Sequence, residues 1–406
     1  GGDLSVTATT GNIVDSGTVT VGGNLSLSTS ATDATITANQ LAVTGEIDVH
    51  TTGSAAAASL VNATGITLGA SSVGGALNVT ATTGNISDNG TVSVGGNLQL
   101  STSANNATIN ANELNVAGTI GLSTTGSAAH ATVVNALGLN LAASTVGGNL
   151  SATASGGNLE DSGTVTVGGN ASYAATQTGS YIYLLNQNIS GTVGFSTVNG
   201  FAYILNAQAV TLSASTVNGD LVVRSPGNID QVSGNGGNLT ITGATYLDVQ
   251  TPGSDILLAS ATNNSFGGFI EFNGWGNAAN VRDLALLNTS ATASFPSLTG
   301  LRNLTLNFSG VALDLPALTI SGNLDITAGG AITQSGIIAV AGTSSFSAAG
   351  QTITLSNASN NFTDLVTVTG AGVSITDVND LSVTLNTTGA TTLTAGGNLT
   401  VSGSSA

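Results

Sequence analysis

The chain has 406 residues, 56 of them Gly, and carries 20 acidic residues against three arginines and no lysine. A net charge of −17 excludes phosphate-backbone binding as a main activity, and anionic membrane surfaces with it, because there are no cations to displace counterions. The absence of cysteine excludes disulfide staples and thiol chemistry, and no apolar run is long enough to span a bilayer.

The chain opens on Gly1–Gly2–Asp3–Leu4, and Gly-Gly-Asn-Leu or a close variant returns at 22–25, 74–77, 95–98, 147–150, 236–239 and 396–399. Each copy starts a run in which apolar residues alternate with Ser, Thr or Asn, the pattern of a strand with one buried face. Residues 1–73 align without a gap to 74–146, with 49 of the 73 positions identical. The differences alternate. Leu41, Val43, Gly45 and Ile47 are kept as Leu114, Val116, Gly118 and Ile120, whereas Ala42, Thr44, Glu46 and Asp48 become Asn115, Ala117, Thr119 and Gly121. The kept apolar residues are therefore expected to point inward, and Ala42, Glu46 and Asp48 outward.

Each unit holds nine short strand-like runs; in the first they begin near Leu4, Ile13, Val19, Leu25, Ile36, Leu41, Ile47, Leu60 and Ile66. Strands this short cannot bury a face alone and must stack on copies of themselves. The reading is an all-β fold, a parallel β-helix (β-solenoid), right-handed, with about 17 turns of roughly 24 residues. Three strands per turn would divide a unit into three turns of about 21, 23 and 29 residues.

Regular β-helix is expected over 1–217, as three units of which the third is diverged. All 15 aromatics lie between Tyr173 and Phe362, and the four prolines are Pro226, Pro252, Pro296 and Pro316. Residues 218–321 are thus expected to be an irregular segment with longer turns or a small excursion, and 322–406 to resume the regular coil. The sequence starts and stops within a repeat and lacks an initiating Met, which suggests an excerpt of a longer polypeptide.

Asp15, Asp88 and Asp161 recur before a Ser/Asn-Gly turn. They are read as structural turn residues whose carboxylates accept from nearby amides, since equivalent acids three turns apart could not share a calcium ion. Asn24, Asn97 and Asn170 follow the Gly-Gly pair and are read as a structural ladder or turn residue. His50 and His130 do not occupy equivalent positions, since position 123, opposite His50, is Ser, so no shared metal role follows. The acid pairs Asp377/Asp380 and Asp248/Asp255 lack the context of glycoside cleavage. No catalytic residue, metal ligand or cofactor is assigned. The best recognition candidate is the run 265–277, with Phe269, Glu271 and Trp275 able to stack on sugar rings or anchor a partner; the competing reading has Phe266, Phe269 and Phe272 filling a wider core.

The runs Gly322–Gly336 (GNLDITAGGAITQSG) and Ile353–Phe362 (ITLSNASNNF) resemble the repeats of filamentous-haemagglutinin-like bacterial surface exoproteins. That resemblance implies an extracellular β-helical stalk exported by a two-partner or autotransporter-type route. The expected function is a rigid extracellular stalk of a large surface adhesin, filament or coat protein, not an enzyme. Its partners would be cell-surface glycans or copies of itself, without nucleic acid or membrane insertion. The alternative is a glycan-binding or polysaccharide-degrading β-helix.

Overall fold

The computed structural model describes residues 1–272, 278–290 and 299–406. The chain is an all-β parallel β-solenoid of about 18 turns. Among the described residues, helix is confined to two 3-10 turns, Asn235–Gly237 and Ala278–Asn280. Two compact units divide it, Gly1–Ala207 and Gln208–Ala406.

In the first unit the alternation read from the sequence holds. Leu41, Val43 and Ile47 are buried, as are Leu114, Val116 and Ile120, and Ala42, Glu46 and Asp48 are half-exposed. Each such inward side chain contributes roughly 1.5–3 kcal/mol by leaving water, and every turn adds several.

Up to Phe272 the strands fall on two faces of the coil, and a third, four-stranded sheet is added by Thr299–Leu301, Leu318–Ile320, Ile338–Val340 and Asn361–Phe362. On one of the two faces, Leu4 is in register with Leu25, Leu25 with Ile47, and Ile47 with Leu68. On the other, Ile13 is in register with Ile36, Ile36 with Ala58, and Ala58 with Leu77. Leu77 is the counterpart of Leu4 one unit on, yet it lies on the second face. Leu150, another 73 residues on, is back on the first, in register with Ala131. A unit therefore makes three and a half turns of about 21 residues, and equivalent residues of consecutive units sit on opposite faces. This corrects the expected three turns of 21, 23 and 29. The long third turn is really one and a half, because Glu46–Thr52, Ala58–Asn62 and the pair Ile66–Leu68 and Ser71–Val73 alternate between faces.

Where a turn bends, one long strand faces two short ones. Ile36–Val43 pairs with both Ile13–Val14 and Val19–Val21. Its register against Ala58–Asn62 shifts between Ala38 and Leu41. At the other corner the turns approach through glycine: a Cβ on Gly95 would lie 2.4 Å from the Gly74 carbonyl oxygen. That contact accounts for the recurring Gly-Gly.

The second unit begins with wider turns, Leu221 in register with Thr245 and Ile229 with Ile256. It tightens to 20 residues between Leu284, Leu304 and Leu324, and to 18 between Leu381 and Leu399. Phe266, Phe308, Phe346 and Phe362 fill its interior. Pro226, Pro252 and Pro316 lie between strands, where no ladder amide is needed; Pro296 lies outside the described residues.

Candidate functional site

Three of the polar residues kept from copy to copy bind one turn to the next. Asp15 accepts the Gln40 amide at 2.6 Å. Asp88 accepts those of Asn112 and Glu113 at 3.1 and 2.8 Å, and Asp161 those of Leu185 and Asn186 at 3.0 and 2.8 Å. These amides belong to the bend of the following long strand, where the register shifts, so the carboxylate supplies an acceptor to the next turn. The expected turn within one loop is thereby corrected: the partners lie 24 or 25 residues away. Asn24, Asn97 and Asn170 stand at exposed corners, and each Oδ1 accepts the amide 22 residues on, from Glu46, Thr119 and Thr192, at 2.9 Å.

A third column was missed from the sequence. Asn62, Asn135 and Asn206 are buried. Asn62 accepts the Val43 amide through Oδ1 and donates through Nδ2 to the Val43 carbonyl, both at 2.9 Å. Asn135 does the same to Val116 at 2.8 and 2.9 Å, and Asn206 to Ile189 at 2.9 and 3.2 Å. The side-chain amide replaces a backbone peptide where the neighbouring strand has ended. The available signal was an Asn at an inward position of a strand, identical in both copies.

Of the recognition candidates, Phe269 is 48% exposed. Glu271 sits on Ile270–Phe272 in register with Tyr246, and Tyr246 meets the Phe269 ring edge-on at 5.5 Å. Phe266 and Phe272 are buried, so the core-filling reading holds for those two and not for Phe269. Trp275 lies outside the described residues. Asp248 and Asp255 are ion-paired, to Arg224 at 2.9 Å and to Arg282 at 2.5 Å, and Asp283 pairs with Arg302. Asp377 is buried and accepts from the amides of Phe362 and Asn379, both at 3.2 Å; Asp380 binds the Asn398 amide at 2.6 Å. Each acid of the two pairs is thus committed to its own structural partner.

A larger exposed constellation lies on the outer surface of the first unit. Asn140, Glu160, Tyr183 and Tyr203 are successive register partners there. Beside them, at the entry to the same strands, come Gly138, Asn158, Tyr181 and Phe201; the carbonyls of the last three accept from the strand start of the preceding turn, and that of Gly138 accepts from the Asn135 side-chain amide. Tyr181 and Phe201 stack at 4.8 Å and 9°, and Tyr183 packs on Tyr203 at 5.0 Å. Tyr181 donates its hydroxyl to Glu160 Oε1 at 2.7 Å, and that bond, with partial desolvation, raises the phenol's pKa. Next to Glu160 is a groove of about 280 Å³ lined by Gly118, Leu137, Gly138, Asn140 and Asn158. The sequence showed where aromatics begin but not that turns bring 160, 181, 183 and 201 together.

Fold and surface define a β-solenoid repeat protein whose kept polar residues serve the stack. The chain belongs to the family described as repeats of unknown function (DUF5649), whose model matches residues 53–123, 126–196, 200–273 and 301–369. The first two matches begin 73 residues apart, at 53 and 126, the period found here. No curated protein and no solved structure matches the chain.

Proposed function

We propose that this chain is a rigid extracellular stalk, structural and adhesive, of a large bacterial surface adhesin, filament or coat protein. The observation that supports this best is what the repeats preserve. From unit to unit the kept Asp, the kept corner Asn and the kept buried Asn each bind a neighbouring turn's backbone. A repeated catalytic or ligand-binding residue would have to leave such bonds free. The resemblance of Gly322–Gly336 and Ile353–Phe362 to the repeats of filamentous-haemagglutinin-like exoproteins supports the same reading. Partners on this reading are surface glycans or further copies of the chain, met at outward positions such as Tyr246, Phe269 and Glu271.

A stalk works by reach. Displayed on a cell under a surface polymer, with an epitope at its outer end, the chain should become more accessible to antibody when a second copy of residues 1–146 is inserted after 146. The substitution Phe269→Ala should leave that accessibility unchanged. Accessibility that ignores the added length would contradict the stalk.

A further inference from the structure

The groove beside Glu160 lies where the copies depart from one another. In the preceding unit the equivalents of Asn140 and Glu160 are Thr67 and Ser87, register partners whose hydroxyls bond each other at 3.2 Å. That pair closes on itself and leaves a plain wet surface. In the later copy both members have changed. Asn140 and Glu160 remain register partners, but the Asn140 Oδ1 atom is buried and has no hydrogen-bond partner. The neighbouring Thr64 has become Leu137, 41% exposed, and Gly138 leaves the floor without a side chain. One and two turns further on, the same surface carries Tyr181 with Tyr183, then Phe201 with Tyr203. Phe201 is 36% and Tyr183 38% exposed.

We propose that this groove and its aromatic margin form a binding site for an uncharged saccharide, distinct from the Tyr246, Phe269 and Glu271 surface. The groove presents acceptors, Asn140 Oδ1 and the Glu160 carboxylate, beside the side-chain amide donors of Asn140 and Asn158. Asn140 Oδ1 lacks a donor, and an unmade bond at a buried acceptor costs about 1–3 kcal/mol until one arrives. Glu160 is a carboxylate held in place by the Tyr181 hydroxyl through one oxygen. Sugar hydroxyls supply the donors. The Tyr181 and Phe201 stack, with Tyr183 edge-on to Phe201 at 6.4 Å, supplies flat apolar area for the C–H face of a ring. The groove is at or just below the small end of small-molecule sites, about 300 Å³, which suits one ring rather than a large ligand. Turns rise by about 4.8 Å, so a second linked ring would reach the aromatic rows. Glu160 and the net charge of −17 disfavour uronates, sialylated or sulfated glycans and nucleic acids.

The test uses the whole chain and a panel of neutral oligosaccharides (glucose-, galactose-, mannose- and N-acetylglucosamine-based di- to tetrasaccharides), with titration calorimetry on those retained by an array. At least one should bind with a dissociation constant at or below about 1 mM. The double substitution Asn140→Thr with Glu160→Ser restores the repeat's own self-closed pair, so it should abolish binding while leaving the melting temperature within about 2 °C. Phe201→Ala should weaken binding about tenfold or more, and Phe269→Ala should not change it. The proposal is overturned if no neutral sugar binds, if binding survives both the double substitution and Phe201→Ala, or if only a cationic peptide binds, in a salt-dependent way. Loss of binding on Phe269→Ala alone would place the sugar on the other surface and overturn it equally. None of these outcomes depends on whether the chain acts as a stalk.

Discussion

At the scale of single residues, the polar side chains divide by whether water could replace them. Asn24 and its equivalents cap amides at exposed corners, so a lost bond there can be remade with solvent. Asn62 cannot be replaced in this way, because the Val43 N–H would be stranded in the interior and its C=O would keep only the Thr64 hydroxyl as a donor. Each orphaned group costs about 1–3 kcal/mol. Asn62→Leu should therefore destabilise the protein by about 2–4 kcal/mol and lower its melting temperature by roughly 5–10 °C, whereas Asn24→Ala should cost about 1 kcal/mol or less. Equal, small effects in thermal melts would show that the buried amide is not replacing a peptide. Asp377 is the acidic variant of a related arrangement. Asn288 accepts from the Phe266 amide and from Ser290 two residues on, both at 3.0 Å, as Asp377 does from Phe362 and Asn379. Burial pushes the Asp377 carboxyl up, against the opposing pull of amides from Asn379, Phe362 and Val378. A carboxyl with a raised folded-state pKa favours folding most below its unfolded value, near 3.9, and that contribution is lost as pH rises through the folded value. Asp377→Asn should thus raise the melting temperature by about 1–3 °C at pH 7, with the gain vanishing towards pH 4. A gain that grows in acid would contradict this.

At the scale of elements, the legible and illegible parts of the fold separate for physical reasons. Side-chain parity was legible because two near-identical copies vary at every second position, and that period belongs to the strand. The Gly-Gly corners were legible for a similar reason, since backbone approach tolerates no Cβ. The three and a half turns were not. A 73-residue period fixes the unit but not how many times it wraps, and nine strands divide as readily into three turns of three. The difference lies in the bends, where Ile36–Val43 spans two partners and no residue type marks it. Asn62 escaped because a polar residue at a strand's end reads as a turn. Asp33 of the first copy is Asn106 in the second, which removes a charge, yet both sit at positive φ, 61° and 64°. Both also accept an amide 22 residues on, at 3.0 and 3.1 Å. An acceptor was needed there, not a charge.

At the scale of the whole molecule, this protein spends its few charges locally. Its three arginines, Arg224, Arg282 and Arg302, each face an aspartate of a neighbouring strand, so the acidic excess remains as a field that repels anions. What holds the solenoid is the repeated joining of turn to turn, in which consecutive units present opposite faces. That alternation also decides the surface: a residue changed in one copy appears on one side only, as Asn140 and Glu160 do. Since the chain contains no cysteine, pairs of introduced thiols report the register directly. Ser59→Cys with Asn78→Cys places thiols on register partners. His50→Cys with Asn78→Cys pairs positions that would be neighbours only if the last turn of the unit held about 29 residues; here His50 is in register with Ser28 and Ser72 instead. With a short bifunctional thiol reagent, the first pair should cross-link nearly completely in the folded protein and the second should not. Efficient cross-linking of the second pair without the first would contradict the alternating stack.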